Sequence, residues 1–416
     1  MATKKGFIDL ISLVLAGGLC SSLAAGIDTI RPGDQLNASD HLVSAKEIFT
    51  LGFFGLQDSN NSYLGIWYTE DYTIRVWVAN RDKPIFNNSG VLAIDTTGKL
   101  MIKTEGGDLI PLNSDQGTTT GNVNATLKDS GNFVVADEKR VLWQSFDYPT
   151  DTLLPGMKLG VDLKTGRNWT LTSSLSSDVL ASGAFTLSWE PTQDSGQLVI
   201  RRRGMLYWTS GLLIDQSFKF MPELDLTGAD VYRVKLRYES NEHEKYLTIS
   251  PMKELIDVRY PHRSRWILDP EAKILDGSFF ILNNLTNFCY GYETDSYSGC
   301  ATARLPSCRR PNDKFDERSG SFNGLAAPTV DDNPSLSLSD CWAKCWNDCS
   351  CRGFDNLVNS NGTGCQLYIG NFTFEQDYTG DSRVTHYVLV PGSSAKGQCN
   401  FISISQESYF IRKSRS

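Results

Sequence analysis

Short segments in which apolar and polar residues alternate fill residues 28–150, and this period of two predicts β-strands. Gly, Asn and Asp interrupt the segments, as expected at the turns of an all-β fold. The predicted strands are FTLGFF (49–54), YLGIWY (63–68), RVWVANRD (75–82), VLAIDTTGKLMI (91–102), ATLKDSGNFVVAD (125–137) and VLWQSF (141–146).

Two of these segments predict β-hairpins with the same type of turn. Asp95 to Gly98 and Asp129 to Gly131 are turn sequences with apolar alternation on both sides. Each predicts an Asx turn in which glycine supplies a positive φ before the chain returns. Repeated hairpins around a shared core favour a β-prism or barrel-like architecture.

A proline-containing but apolar run, LWQSFDYPTDTLLPGMKLG (142–160), follows. A flexible linker would be rich in Ser and Gly, so we expect this run to be ordered and packed between two β modules. The second module is predicted from GAFTLSW (183–189), QLVIRRR (197–203), VYRVKLRYES (231–240), KYLTIS (245–250) and RWILD (265–269).

The pattern changes toward the C-terminus. Loops are predicted over residues 275–340, and SLSDCWAKCWNDC (337–349) is the clearest helix, with Ser339 or Asp340 as its cap. Strands are predicted at CQLYIG (365–370) and RVTHYVLV (383–390). The fold class is therefore mainly β, with an α+β segment at the end.

The N-terminal residues predict export. Two lysines, an apolar stretch from Leu10 to Cys20 and small residues near Ala25 are typical of a cleaved signal peptide over residues 1–25. No later stretch has the apolar length of a membrane span, so we expect a secreted, soluble protein. The pattern Asn-x-Ser/Thr predicts N-glycosylation at Asn37, Asn60, Asn87, Asn124, Asn168, Asn284, Asn361 and Asn371.

Charge and histidine content exclude two classes of function. The net charge is −8, and the longest basic run, Arg201 to Arg203, is predicted to be a solvated strand end, so nucleic acid is not an expected partner. The four histidines lie apart, and neither metal-ligand spacing nor a nucleophile elbow occurs. We therefore expect neither an enzyme nor a bound cofactor or metal.

Four cysteines lie within CWAKCWNDCSC (341–351). The spacing lacks the CxxC pairs of zinc and redox sites, and exported cysteines usually pair, so disulfides are expected. Cys341, Cys345 and Cys349 recur every four residues, which predicts one stripe on the helix.

Taken together, the segments resemble the extracellular region of plant S-domain receptor-like kinases, the S-locus glycoprotein family. The resemblance covers roughly residues 28–391, and LWQSFDYPTDTLLPG is its most specific run. The other matching segments are DTIRPGDQL (28–36), LVSA (42–45), FTLGFF, YLGIWY, VWVANRDKPI (76–85), SGVLAID (89–95), LKDSGNFVV (127–135) and YWTSG (207–211).

The resemblance implies a domain order. It comprises a bulb-type lectin β-prism (28–150), an S-locus glycoprotein domain (151–290), a degenerate EGF-like remnant (291–307), a PAN/apple-like domain (308–391) and a polar tail (392–416). Family members usually carry a six-cysteine EGF-like module, a transmembrane helix and a kinase. Only Cys289, Cys300 and Cys308 fall in the EGF interval, and no kinase motif occurs, which predicts a soluble S-domain protein, a truncated receptor or an incomplete gene product.

Mannose sites of bulb lectins resemble Q-x-D-x-N-x-V-x-Y. With one residue inserted, Asp129, Asn132 and Val134 occupy three of these positions, whereas Leu127 replaces the glutamine and Ala136 the tyrosine. Because leucine and alanine side chains form no hydrogen bonds, we expect weakened sugar binding, with Asp129 and Asn132 acting mainly as turn residues. Trp67, Trp77 and Trp143 could stack on sugars, but their places within strands favour burial.

The resemblance also implies a disulfide scheme and a function. The implied pairs are Cys341–Cys365, Cys345–Cys351, Cys308–Cys349 and Cys289–Cys300, with Cys399 left free or intermolecular. Recognition of an extracellular protein or peptide ligand is the leading hypothesis. A second copy of the chain, in a homodimer, and S-domain receptors are further candidate partners. A mannose-type lectin and a soluble decoy or cell-wall glycoprotein are the alternatives.

Overall fold

The computed structural model describes residues 27–56, 59–114, 119, 121–221, 234–251, 264–276, 279–280, 289, 299–301, 305–310, 313–357, 362–379 and 384–392. The predicted signal peptide, Asn284, Asn361, Cys399 and nearly all of the polar tail lie outside these residues. Among the described helices, none is long and apolar enough to cross a membrane.

The first β module contains short antiparallel strands. They are β1 (Thr29–Ile30), β2 (Gln35–Leu36), β3 (His41–Val43), β4 (Phe49–Gly55), β5 (Asn61–Tyr68), β6 (Asp71–Val78), β7 (Ile85–Phe86), β8 (Val91–Ile94), β9 (Leu100–Lys103), β10 (Leu109–Pro111), β11 (Val123–Leu127), β12 (Phe133–Asp137) and β13 (Val141–Gln144).

Three sheets form the faces of the predicted prism. Their strand orders are β1-β11-β12-β13, β10-β9-β8-β2 and β3-β4-β5-β6, with β7 paired to β5. The side chains of these strands that face inward form the core, where Leu51, Leu64, Leu92 and Phe133 are fully buried. Both predicted hairpins occur, as β8–β9 and β11–β12.

The second β module and its connections follow. The strands are β14 (Thr152–Leu153), β15 (Leu159–Asp162), β16 (Asn168–Trp169), β17 (Leu171–Ser174), β18 (Ser182–Pro191), β19 (Gly196–Arg202), β20 (Met205–Thr209), β21 (Leu213–Ile214), β22 (Ser217–Phe218), β23 (Val234–Ser240), β24 (Glu244–Pro251), β25 (Trp266–Leu268), β26 (Ile274–Asp276) and β27 (Phe279–Phe280). The four-stranded sheets are β14-β25-β26-β27, β16-β15-β24-β23 and β17-β18-β19-β20.

The C-terminal module is α+β. It contains β28 (Lys314–Asn323), β29 (Thr329–Asp331), helix α1 (Leu338–Asn347), β30 (Cys351–Asn356), β31 (Cys365–Ile369), β32 (Thr373–Gln376) and β33 (Thr385–Val390). The strands form one sheet in the order β29-β31-β30-β33-β28-β32. The apolar face of α1 packs on β30 and β31, where Cys341, Cys345 and Phe354 are fully buried.

The described residues form two hydrophobic cores. One is continuous from Ile30 to Cys289 and spans both β modules, whereas the other belongs to the C-terminal module. The run 142–160 lies within the first core, where Trp143, Leu153 and Leu154 are buried, so its predicted packing between two modules is confirmed.

Several expectations are corrected. Residues 275–340 are not only loops, because they contain the ten-residue strand β28. Its polar sequence, KFDERSGSFN, lacks the apolar alternation from which a strand is predicted. Helix α1 is capped by Ser337, with Asp340 completing a capping box. The helix ends at Asn347, so Cys349 lies beyond the predicted stripe.

Candidate functional site

The sugar-site candidates lie on the β11–β12 hairpin. Gly131 has a φ of +84° in the turn, as predicted. The turn at Asp95 is an Asx turn, in which Oδ1 accepts from the backbone N–H of Thr97 at 2.8 Å. Asp129 differs from this prediction, because its Oδ1 accepts from the backbone N–H of Lys46, 83 residues away, at 2.7 Å. Its carboxylate therefore ties the hairpin to the β3–β4 connection.

Asn132 is almost completely buried and uses both ends of its amide internally. Its Nδ2 donates to Oε1 of Gln144 at 2.9 Å. Its Oδ1 accepts from the Ser145 hydroxyl and the Phe146 backbone N–H, both at 3.2 Å. These bonds hold the hairpin against the start of the run 142–160. The Asn132 amide is therefore already engaged within the chain and does not present free hydrogen-bonding groups to a sugar.

Val134 is 8% exposed and lies opposite Gln144 in the β12–β13 register. Leu127, at the position of the family's glutamine, is buried in the prism core. Asp129 and Asn132 are thus bonded to different segments of the chain, and the structure does not gather the three candidates into an exposed polar patch.

The three tryptophans considered for stacking are buried. Trp67, Trp77 and Trp143 are 7%, 6% and 4% exposed. Trp77 donates its Nε1–H to the carbonyl oxygen of Tyr148 at 2.9 Å, and Trp143 stacks on the Tyr148 ring. Trp77 and Trp143 thus pack against each other and against Tyr148 of the run 142–160, whereas Trp67 packs edge to face against His41 and Phe54 within the prism.

A cavity of about 310 Å³ lies beside Asn132. Its polar lining includes Gln144, Asp147 and Lys158, which sequence reasoning did not single out, although all three lie in the run 142–160. Amides and a carboxylate of this kind can bind hydroxyl groups of a neutral ligand.

The charges around this cavity are already paired. Asp147 accepts from Gln144 Nε2 at 3.2 Å and forms an ion pair with Arg167 at 3.4 Å. Lys158 pairs with Glu244 and lies over the Trp169 and Tyr246 rings, 4.8 Å from each centroid. The cavity is therefore close to neutral and offers no site for a strongly charged ligand.

Arg81, in the quoted VWVANRDKPI segment, joins the prism to the second module. It is 8% exposed and donates from Nε, Nη1 and Nη2 to the carbonyl oxygens of Leu180, Thr172 and Ser173 at 2.8–2.9 Å. Burial lowers the pKa of the guanidinium. The adjacent Asp82 accepts from the backbone N–H of Ser182 at 2.6 Å, so two family-type residues connect the modules.

The basic run 201–203 is not a solvated strand end. Arg202 and Arg203 reach the N-terminus of α1, where their Nη2 atoms lie 2.6 and 2.7 Å from the two carboxylate oxygens of Asp340. Asp340 is buried, and hydrogen bonds and the charges of both arginines hold its pKa below the usual range against desolvation. The three side chains therefore connect the second module to the C-terminal module.

Disulfides occupy the cysteine-rich segment. The structure joins Cys341–Cys365, Cys345–Cys351, Cys308–Cys349 and Cys289–Cys300, the same pairs that the resemblance implies. Cys341, Cys345, Cys351 and Cys365 are fully buried, whereas Cys308 and Cys349 are exposed. Cys341–Cys365 fixes α1 to β31 and Cys345–Cys351 fixes it to β30, which is a structural role.

One histidine has a carboxylate partner that the sequence did not reveal. His386 is buried, with Nδ1 2.6 Å from Asp355 Oδ2, and the Tyr368 hydroxyl donates to the same oxygen at 2.9 Å. Burial and the Asp355 charge raise the pKa of Tyr368. Phe322, Phe374 and Tyr368 surround the imidazole edge to face, which is the environment of a packed core residue. In the part of the chain that is described, no group of three or more His, Cys, Asp or Glu side chains could hold a metal ion.

The predicted glycosylation sites are mostly at the surface. Asn37, Asn60, Asn87, Asn168 and Asn371 are exposed, and Asn124 is half-buried within β11. Asn284 and Asn361 lie outside the described residues.

Comparison with known families agrees with this architecture. A profile described as D-mannose binding lectin matches residues 73–174, and one described as PAN-like domain matches residues 308–373. A lectin-type profile followed by a PAN-like profile fits the domain order that the resemblance to S-domain proteins implies.

Individual relatives extend the match over most of the chain. S-locus-specific glycoprotein S6 of Brassica oleracea is 31% identical over 85% of this chain and 90% of its own length. The G-type lectin S-receptor-like serine/threonine-protein kinase CES101 of Arabidopsis thaliana is 33% identical over 88% of this chain, which spans 46% of that kinase. The chain therefore belongs to the S-domain family of S-locus glycoproteins and G-type lectin S-receptor-like kinases.

A solved structure, the mannose-specific agglutinin of snowdrop (Galanthus nivalis) bulbs, overlaps 27% of this chain and 92% of its own, with 18% identity and a TM-score of 0.21. Similarity on this scale does not define a binding site.

Proposed function

We propose that this chain is an extracellular recognition module and that it binds a protein or peptide ligand. The observation that carries the proposal is the internal use of the sugar-site positions: Asp129 bonds Lys46, and Asn132 bonds Gln144, Ser145 and Phe146. A sugar bound at these positions would have to replace the internal bonds. Because each hydrogen bond contributes only about 0.5–1.5 kcal/mol net, the bonds gained with the sugar would be offset by the internal bonds lost.

The linked modules support the same proposal. Arg81 bonds the prism to the second module, and Arg202 and Arg203 bond that module to α1. Such bonds hold exposed surfaces of different modules in fixed positions, which reduces the ordering entropy lost when a protein partner binds. Recognition here needs no catalytic residue, and homodimers or association with S-domain receptors would use the same surfaces.

Two other functions remain as candidates. A mannose-type lectin is favoured by the lectin profile and by the neutral cavity beside Asn132. A soluble decoy or cell-wall glycoprotein is the other candidate, because S-locus-specific glycoprotein S6 is 31% identical over 85% of this chain.

The proposal is tested with the secreted glycoprotein immobilised for surface plasmon resonance. A panel of small secreted plant proteins and peptides is passed over it with and without excess methyl α-mannoside. We expect saturable binding of a panel member that the mannoside does not reduce and that Asp129→Ala leaves unchanged. Binding that is displaced by mannoside and lost in Asp129→Ala would support the lectin instead, with the exposed Arg140→Ala as the matched control.

A further inference from the structure

A second, larger cavity lies on the PAN-like module, well removed in sequence from the sugar-site hairpin. It has a volume of about 590 Å³. It is lined by residues 324–326, which follow β28, by Ile369 at the end of β31, and by residues 370–372, which connect β31 to β32. This volume is within the range of about 300–1,000 Å³ that accommodates small organic ligands.

The lining is mostly apolar and has no charged side chain. Leu325 is fully exposed to solvent, and the side chains of Ala326 and Ile369 add to the same surface. Phe372 is mostly buried, with its ring against Gly324 and edge to face with Tyr368 at 5.4 Å. A ligand that packs on an exposed leucine beside a cavity buries apolar surface that is otherwise in contact with water, and this burial is favourable.

Space remains open along the cavity. Gly370 has a φ of +99°, and a Cβ atom added there would meet nothing within 4 Å. Its backbone is held in place because its N–H donates to the carbonyl oxygen of Ser350 at 2.9 Å. The residue next to it, Asn371, is exposed and is itself part of the lining.

Asn371 is also the acceptor of a glycosylation sequence, Asn371-Phe372-Thr373. A glycan on this side chain starts at the rim of the cavity, so its first sugars are held there at an effective concentration in the millimolar range, about that of short flexible tethers. A sugar ring is neutral and has an apolar C–H face, which matches an uncharged lining that contains Leu325.

We propose that this cavity seats the first sugars of the N-glycan carried by Asn371, which pack on Leu325. The cavity is then covered by a glycan in the secreted protein. The ligand of the proposed recognition function binds elsewhere. The proposal does not depend on which ligand that is.

The test is site-resolved deglycosylation of the full secreted chain made with high-mannose glycans. Native and denatured protein are digested with endoglycosidase H, and mass spectrometry follows Asn371 together with Asn37 and Asn87, which are exposed and line none of the cavities described above. We expect release at Asn371 to be about tenfold slower than at the reference sites in native protein, a factor equivalent to about 1.4 kcal/mol. The rates should become equal after denaturation.

Leu325→Ser should raise the native rate at Asn371 toward the reference rates, whereas Leu109→Ser, at an exposed leucine of the prism, should change none of them. A second readout avoids the glycosidase. In Asn371→Gln, hydroxyl-radical oxidation of Leu325 should rise severalfold relative to the glycosylated protein, with Leu109 unchanged.

Three results overturn the proposal: an unoccupied Asn371, native release at Asn371 as fast as at Asn37, or oxidation of Leu325 that is the same with and without the glycan. Protection of Leu325 that persists in Asn371→Gln and scales with protein concentration would assign the cavity to contact between two copies of the chain.

Discussion

Replacing Asp269 by asparagine should stabilise the protein above pH 6. Asp269 begins the turn between β25 and β26, and its Oδ1 accepts from the backbone N–H groups of Glu271 at 2.9 Å and Lys273 at 2.7 Å. Burial raises the pKa of this carboxyl to about 6. An asparagine oxygen can accept the same two bonds without placing a charge there.

The sign follows from proton linkage. The folded pKa of about 6 lies above the value of 3.8 for the solvated group. The folded state therefore binds the proton more tightly, and stability contributed by this group falls as the pH rises from about 4 to about 6. The difference between the two values, at about 1.4 kcal/mol per pH unit, gives a destabilisation of about 3 kcal/mol above pH 6.

Urea unfolding of wild type and Asp269→Asn across pH 4–8 measures this effect. The variant should gain about 2–3 kcal/mol at pH 7.5, and the gain should shrink toward zero near pH 4. Asp162→Asn is the control, because hydrogen bonds from the Thr165 hydroxyl and neighbouring backbone N–H groups lower the pKa of Asp162 in a similar turn. That substitution should not stabilise at any pH. A pH-independent gain in Asp269→Asn, or a loss at pH 7.5, would refute the reasoning.

The contacts between modules give further predictions. Arg81→Met should destabilise the chain by about 3 kcal/mol, since the buried carbonyl oxygen of Ser173 and the partly buried ones of Thr172 and Leu180 lose their donor, while exposed Arg140→Met should have little effect in the same urea titration. Arg202→Ala and Asp340→Ala should show a coupling energy of about 1–3 kcal/mol in a double-mutant cycle, and additivity would contradict the contact. Peptide mapping without reduction should recover the bridges Cys341–Cys365, Cys345–Cys351, Cys308–Cys349 and Cys289–Cys300; Cys341 joined to Cys351 would exclude this scheme.

The prism strands were predictable because apolar residues recur along them and are buried, on one face in β11 and along most of the length of β4 and β5. FTLGFF and YLGIWY became β4 and β5 with only small changes at their ends. β28 was missed for the opposite reason: of its ten residues, only Phe315 and Gly320 are buried, so its polar sequence carries little alternation. Pairing with β33 and β32, which are distant in sequence, makes it a strand.

Module contacts were the least predictable feature. Arg202 and Arg203 were expected to be solvated because their partner, Asp340, lies about 137 residues further along the chain. The bonds of Asp129 to Lys46 and of His386 to Asp355 could not be predicted either, because the partners are far apart in the sequence. Residue type identified Asp129 and Asn132 as polar turn residues, but only the tertiary structure shows where their hydrogen bonds go.

The most direct test of the proposed function is mannose binding by the intact chain. On a glycan array the wild-type protein should give no mannose-specific signal, because Asp129 and Asn132 are bonded internally. Asp129→Ala should therefore have an array profile like that of wild type. A mannose-specific signal in wild type that disappears in Asp129→Ala would contradict the account and establish the lectin alternative.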